Sequence, residues 1–107
     1  MMIDEQALQQ AVARIVAAAQ PSRVILFGSY GRGDADEGSD VDLMVIKPRV
    51  DNQGEELIRL YQIVGHIGAG VDVLVYSDAE YERRSQVPGT VLYWARKEGR
   101  KLYESTS

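Results

Sequence analysis

A chain of 107 residues with no cysteine and a single histidine reads as one small domain with a single core and no second lobe. Disulfides, thiolate catalysis, Cys-based zinc sites and a His-rich metal cluster are excluded together. With 45% hydrophobic and 26% charged residues the composition is near the globular average rather than that of a disordered chain, and its net charge of −4 argues against a free-standing nucleic-acid binder, which needs many Lys and Arg contacts to phosphate.

Asp4 is the expected N-cap of a first helix carrying Leu8, Val12, Ile15, Val16 and Ala19 at helical spacing and stopping before Pro21. Residues 24–27 read as a buried strand, and residues 28–39 as a connection rich in Gly, Asp and Ser without an obvious helix. Residues 40–46 read as a second strand, ended by Lys47-Pro48. A second helix is expected from near Gly54, with Leu57, Tyr61, Val64 and Ile67 on one stripe and Gly65, Gly68 and Gly70 closing it. Residues 71–76 form a third expected strand, with Asp72 inside an apolar run that packing alone does not explain.

Ser77 and Glu80 have the spacing of a capping box and predict a short helix to about Arg84. Pro88-Gly89 breaks it, and residues 90–97 restart as a helix with Val91, Leu92 and Ala95 inward and Gly99 just past its end. Residues 101–104 are expected to add a short strand. The order α-β-β-α-β-α-α-β predicts an α/β (α+β) domain, a small mixed β-sheet flanked by helices, because the first two strands lack a standard helical crossover. No apolar run reaches the length of a membrane span, and residues 1–20 lack a basic stretch leading into an apolar one, so the chain reads as soluble and cytoplasmic with no membrane partner.

Charge is unevenly placed. Over residues 81–107 Arg83, Arg84, Arg96, Lys97, Arg100 and Lys101 outnumber Glu82, Glu98 and Glu104, which gives either a solvated helix face or a surface for a nucleotide tail or acidic partner.

The chemistry concentrates at Gly28-Ser29, ten residues before Asp40-Val41-Asp42. At a strand end Gly28 lets backbone approach an anion, and Ser29 offers an N–H and a hydroxyl to phosphate oxygens. Asp40 and Asp42 are two apart on a strand and so share a face at about 6 to 7 Å, a spacing that suits one Mg²⁺ or a bridged pair. The Walker A spacing and its lysine are absent, and so is the context of a dinucleotide fold. Singly, each feature has a plain reading: a strand-to-loop turn, a polar pair at a strand start, and for Asp72 a salt-bridge partner. Jointly, three acids on adjacent strands concentrate charge that bound cations or shifted pKa values must relieve. Arg32 reads as an exposed loop arginine within reach of a triphosphate. Asp34, Asp36 and Glu37 read as a solvated acidic loop, His66 as structural, and Tyr93 and Trp94 as core or partner-facing surface, with stacking on adenine the alternative.

The pattern Gly28-Ser29-x10-Asp40-x-Asp42, with Asp72 on the next strand, resembles the DNA polymerase β-like nucleotidyltransferase superfamily. Within it, the small size and the segment Gly28-Ser29-Tyr30-Gly31-Arg32-Gly33 resemble the minimal nucleotidyltransferases, the MNT antitoxins paired with HEPN ribonuclease toxins. The resemblance spans essentially the whole chain, through Pro88-Gly89-Thr90, residues 95–100 and Leu102-Tyr103. It implies that Asp40 and Asp42 hold two Mg²⁺ ions escorting the triphosphate of ATP, and that Asp72 completes the metal site and helps to deprotonate the attacking hydroxyl. Ser29 and the Gly28 backbone would hold the β- and γ-phosphates of the nucleotide, with Arg32 a further nucleotide-binding candidate from its place in the Gly-rich connection. The implied acceptor is a tyrosine of a HEPN toxin held in a hetero-oligomer, whose ribonuclease is silenced by adenylylation. A small-molecule acceptor such as an aminoglycoside, and a non-catalytic module that neutralises its partner by occlusion, are the alternatives.

Overall fold

The computed structural model describes residues 3–65, 67 and 70–105. In chain order it runs α1 (Glu5–Ala19), β1 (Arg23–Phe27), α2 (Gly28–Arg32), β2 (Val41–Lys47), α3 (Gln53–Val64), β3 (Val71–Ser77), α4 (Asp78–Arg84), α5 (Val91–Glu98) and β4 (Arg100–Glu104). The four strands form one mixed sheet in the order β3-β2-β1-β4. β1 is antiparallel to both β2 and β4, and β2 is parallel to β3 across the α3 crossover.

Alternation along the strands divides the core in two. Val24, Leu26, Val41, Leu43, Val45, Val73 and Val75 face α1 and α3, meeting Leu8, Ala11, Val12, Ile15, Leu60 and Val64. Ile25, Met44 and Ile46 face the other way, against Tyr81 of α4 and Leu92 and Ala95 of α5. The sheet is therefore a middle layer covered by helices on both sides, as the mixed-sheet expectation requires.

Local signals fix the helix ends. Asp4 caps α1 by accepting the Gln6 amide at 3.1 Å, and Gln20 closes it in a left-handed conformation immediately before Pro21. Ser77 accepts the Glu80 amide at 3.2 Å at the start of α4, and Thr90 accepts the Tyr93 amide at 3.1 Å at the start of α5. α3 is capped by Asn52, which accepts the Glu55 amide at 3.0 Å, so Gly54 lies inside the first turn rather than at the boundary.

Several expectations need correction. The connection after β1 is not irregular throughout: residues 28–32 form a single helical turn, α2. Gly31 permits it, since a Cβ there would lie 2.4 Å from the Leu26 carbonyl oxygen. Asp40 lies just ahead of β2 rather than on it. Tyr61 is 41% exposed, yet its hydroxyl accepts the Val73 amide at 2.9 Å and ties α3 to β3. Val91 faces outward. Gly99 is not left-handed; it is needed because a Cβ would meet the Ala95 carbonyl oxygen at 2.2 Å and Ile25 at 2.6 Å. His66 and Gly68 lie outside the described residues.

Candidate active site

Register across the sheet builds the site. On the α4/α5 face, side chains come in rows: Arg23, Ile46 and Tyr76; then Ile25, Met44 and Leu74; then Phe27, Asp42 and Asp72. The first two rows contribute Ile25, Met44 and Ile46 to the apolar seam under α4 and α5. The third row ends the seam, and polarity appears there because the covering helices no longer seal the sheet. Asp72 is exposed and Asp42 half-buried, on neighbouring parallel strands that run about 4.8 Å apart. Asp40, two residues before Asp42, is exposed at the mouth of β2. Its carboxylate lies over Gly70, where a Cβ would come within 2.3 Å of Oδ1, and the adjacent Val41 amide donates to the Gly70 carbonyl at 2.8 Å.

Gly28 brings the other wall of the site up to these acids. Its φ of +67° is left-handed, and a Cβ there would lie 2.3 Å from Oδ2 of Asp42. Only glycine meets both demands. The following turn closes through the Ser29 carbonyl, which accepts the Asp34 amide at 3.0 Å, and through Gly33, left-handed at +82°. These bonds occupy Ser29 by its carbonyl and not its hydroxyl. Tyr30 anchors α2 by accepting the Ile3 amide at 3.1 Å.

Electrostatics agree with the layout. Burial pushes the Asp42 carboxyl above the usual carboxylate range, the charges of Asp72 and Asp40 push the same way, and Arg32 opposes them. All three acids and Arg32 thus share one field. Among the described residues no three acidic side chains stand close enough to enclose an ion by themselves. The aspartates are hard oxygen donors lying side by side, an arrangement that suits Mg²⁺, which takes one or two carboxylates and completes its octahedron with water and substrate phosphate. A cation would also relieve the mutual repulsion felt at Asp42.

The remaining candidates divide. Arg32 is exposed and paired with Asp34 at 3.2 Å, at the rim beside Gly28. Asp36 braces its own loop, accepting the Gly38 amide at 2.9 Å and the Ser39 hydroxyl at 3.2 Å, and takes no part in the site. Trp94 is 47% exposed with Tyr93 edge-on at 5.1 Å. Beside Gly28 the structure opens a groove of about 680 Å³ lined by Phe27, Gly28, Arg32, Gly89, Val91, Trp94 and Glu98. Sequence reasoning missed this groove and Glu98 in particular. The available signal was the i, i+3, i+7 stripe of Val91, Trp94 and Glu98, alongside the buried Leu92 and Ala95 on α5. A hollow of similar size, about 700 Å³, lies at the other end of β1. There Arg23 is taken up by Glu104 at 3.1 Å and Glu82 at 3.5 Å, so its charges are met internally.

Residues 8–69 match the nucleotidyltransferase domain family. The match includes Gly28, Ser29, Arg32, Asp40 and Asp42 and stops short of Asp72. Over 53 residues the chain is 40% identical to the "putative protein adenylyltransferase" of Methanocaldococcus jannaschii, covering 50% of this chain and 52% of that protein, so the match spans about half of the relative's length. A crystal structure of a nucleotidyltransferase, so named provisionally, from Sulfolobus solfataricus aligns with a TM-score of 0.59 and 25% identity over 88% of this chain and 82% of the other. A toxin-antitoxin structure with AMP-PNP aligns with a TM-score of 0.57 over 92% of this chain and 74% of the other, and at 21% identity it bears on the fold alone. No described helix is long and apolar enough to cross a membrane.

Proposed function

We propose, from the premise that this chain belongs to the nucleotidyltransferase domain family, that it transfers AMP from ATP to a protein hydroxyl in a Mg²⁺-dependent reaction. The observation that carries this reading is the position of Asp42, held against the Gly28 backbone on one side and in register with Asp72 on the other. A phosphate approach and a carboxylate pair meet there within one contact.

In this reading the N–H groups of Gly28 and Ser29 and the Ser29 hydroxyl bind the β- and γ-phosphate oxygens, with Arg32 adding positive charge at the rim. Asp40 and Asp42 hold divalent ions, which neutralise charge on the triphosphate when bound. Asp72 accepts the proton of the acceptor hydroxyl as its oxygen attacks the α-phosphorus. The bond from that phosphorus to the bridging oxygen breaks and pyrophosphate leaves. Asp72 suits the proton-accepting role because it is exposed at the edge strand, where an incoming protein can reach it.

The acceptor we infer is a tyrosine of a HEPN-type toxin, with this chain acting as the antitoxin in a hetero-oligomer. The name of the Methanocaldococcus relative supports a protein acceptor, and the resemblance of residues 28–33 to the minimal nucleotidyltransferase antitoxins supports a toxin as that partner. Incubation with Mg²⁺, labelled ATP and the product of the adjacent gene should label that protein, and Asp42→Asn should abolish labelling. Equal protection of cells by wild type and Asp42→Asn, without modification, would instead mean occlusion of the partner. Labelling of an aminoglycoside in place of protein would move the acceptor to a small molecule.

A further inference from the structure

The groove between the end of the sheet and α5 runs on from Gly28 and Arg32 to a part that the transfer chemistry does not use. Trp94 stands there with nearly half of its surface open, on a helix whose adjacent face is fully buried through Leu92 and Ala95. Tyr93 packs against the indole edge-on at an interplanar angle of 86°. One turn further along, the Glu98 carboxylate makes no hydrogen bond or ion pair with any described residue. The nearby cations are engaged elsewhere: Lys97 donates to the Tyr93 hydroxyl at 3.3 Å, and Arg100 pairs with Glu5.

We propose that this groove is the nucleobase subsite, with Trp94 the stacking platform and Glu98 the acceptor that selects bases bearing an exocyclic amino group. The proposal rests on the nucleotidyl-transfer reading and deepens it by assigning base specificity. A flat aromatic face open to solvent is a sequence-tolerant platform for any base. A carboxylate, by contrast, only accepts, so it favours an amino edge and disfavours a carbonyl edge. Charge sets the direction of the ligand. Phosphates are drawn to the amides at Gly28 and to Arg32 and repelled by Glu98, which leaves the base toward Trp94 and Glu98. A groove of about 680 Å³ accommodates a base and ribose.

Trp94 is the only tryptophan in the chain, so its emission reports on this groove alone. The full chain is titrated in Mg²⁺ with ATP, with purine riboside triphosphate, which lacks the amino group, and with inorganic tripolyphosphate; calorimetry runs in parallel. ATP should quench Trp94, whereas tripolyphosphate should compete with ATP without quenching. Trp94→Ala should weaken ATP roughly tenfold and leave tripolyphosphate unchanged. Glu98→Ala should reduce the affinity for ATP to that for purine riboside triphosphate; both variants alter exposed side chains and should keep the wild-type circular dichroism. If ATP binds and AMP is transferred while Trp94 emission stays constant and Trp94→Ala binds ATP normally, the base subsite is overturned and the transfer reading stands. If neither ATP nor tripolyphosphate binds, both fall.

Discussion

Replacing Gly28 by alanine adds two separable penalties at one atom. The left-handed backbone, φ +67°, costs a Cβ-bearing residue about 1–2 kcal/mol. The new methyl would also sit 2.3 Å from Asp42 Oδ2, so the carboxylate must move, an overpacking worth about 1–3 kcal/mol. Gly28→Ala should therefore destabilise by about 2–5 kcal/mol, each kcal/mol lowering Tm by about 4–8 °C. The second penalty disappears when the carboxylate is removed. In an Asp42→Ala background Gly28→Ala should cost only the backbone share, giving a coupling of about 1–3 kcal/mol in a double-mutant cycle by urea unfolding. Asp42→Asn, which keeps the bulk and loses the charge, should leave Gly28→Ala nearly as costly as in wild type. Additivity of Gly28→Ala and Asp42→Ala within about 0.5 kcal/mol would refute the contact on which the phosphate approach depends.

Other expectations concern charge and packing. Because the folded Asp42 carboxyl has a raised pKa, it binds its proton more tightly folded than unfolded, and so costs stability at pH above both values. Asp42→Asn should accordingly raise Tm at pH 8, and the gain should fade as pH falls toward the unfolded carboxyl range; an equal or larger gain at acid pH contradicts the cause assigned. Added Mg²⁺ should raise the Tm of wild type and not of Asp42→Asn. Gly31→Ala should disrupt α2, since its Cβ would meet the Leu26 backbone oxygen at 2.4 Å, whereas Gly33→Ala, with open space around it, should cost only the left-handed strain of about 1 kcal/mol. Tyr61→Phe leaves the Val73 amide without its acceptor and should cost about 1–3 kcal/mol in chemical denaturation, with little change in the far-ultraviolet spectrum.

The carboxylate arrangement was legible because strands have a period of two: Asp42 and Asp72, each early in an apolar run, could be assigned to strands from spacing alone. That the two lie side by side depends on the parallel register of β2 with β3, a tertiary fact that no local pattern encodes. The caps at Asp4, Ser77 and Thr90 sit where hydrogen-bonding side chains precede periodic runs. α2 was not legible, because a five-residue turn containing Gly28 and Gly31 has poor helix propensity and is held by the Tyr30 anchor and close packing on Leu26. Sequence pattern places Val91 inward because it adjoins Leu92 in an apolar pair, and only the position of α5 over the sheet decides which of them is covered. The role of Gly28 was anticipated as freedom of backbone approach, but its contact with Asp42 joins two segments that sequence treats as separate.

Two labels distinguish AMP transfer from phosphorylation and from occlusion. The chain is incubated with Mg²⁺, the acceptor protein and ATP labelled at either the α- or the γ-phosphate. The α-label should become covalently attached to the acceptor, the γ-label should leave as pyrophosphate, and Asp42→Asn should stop both. Attachment of the γ-label, or silencing of the partner with no label attached and no pyrophosphate released, would contradict AMP transfer.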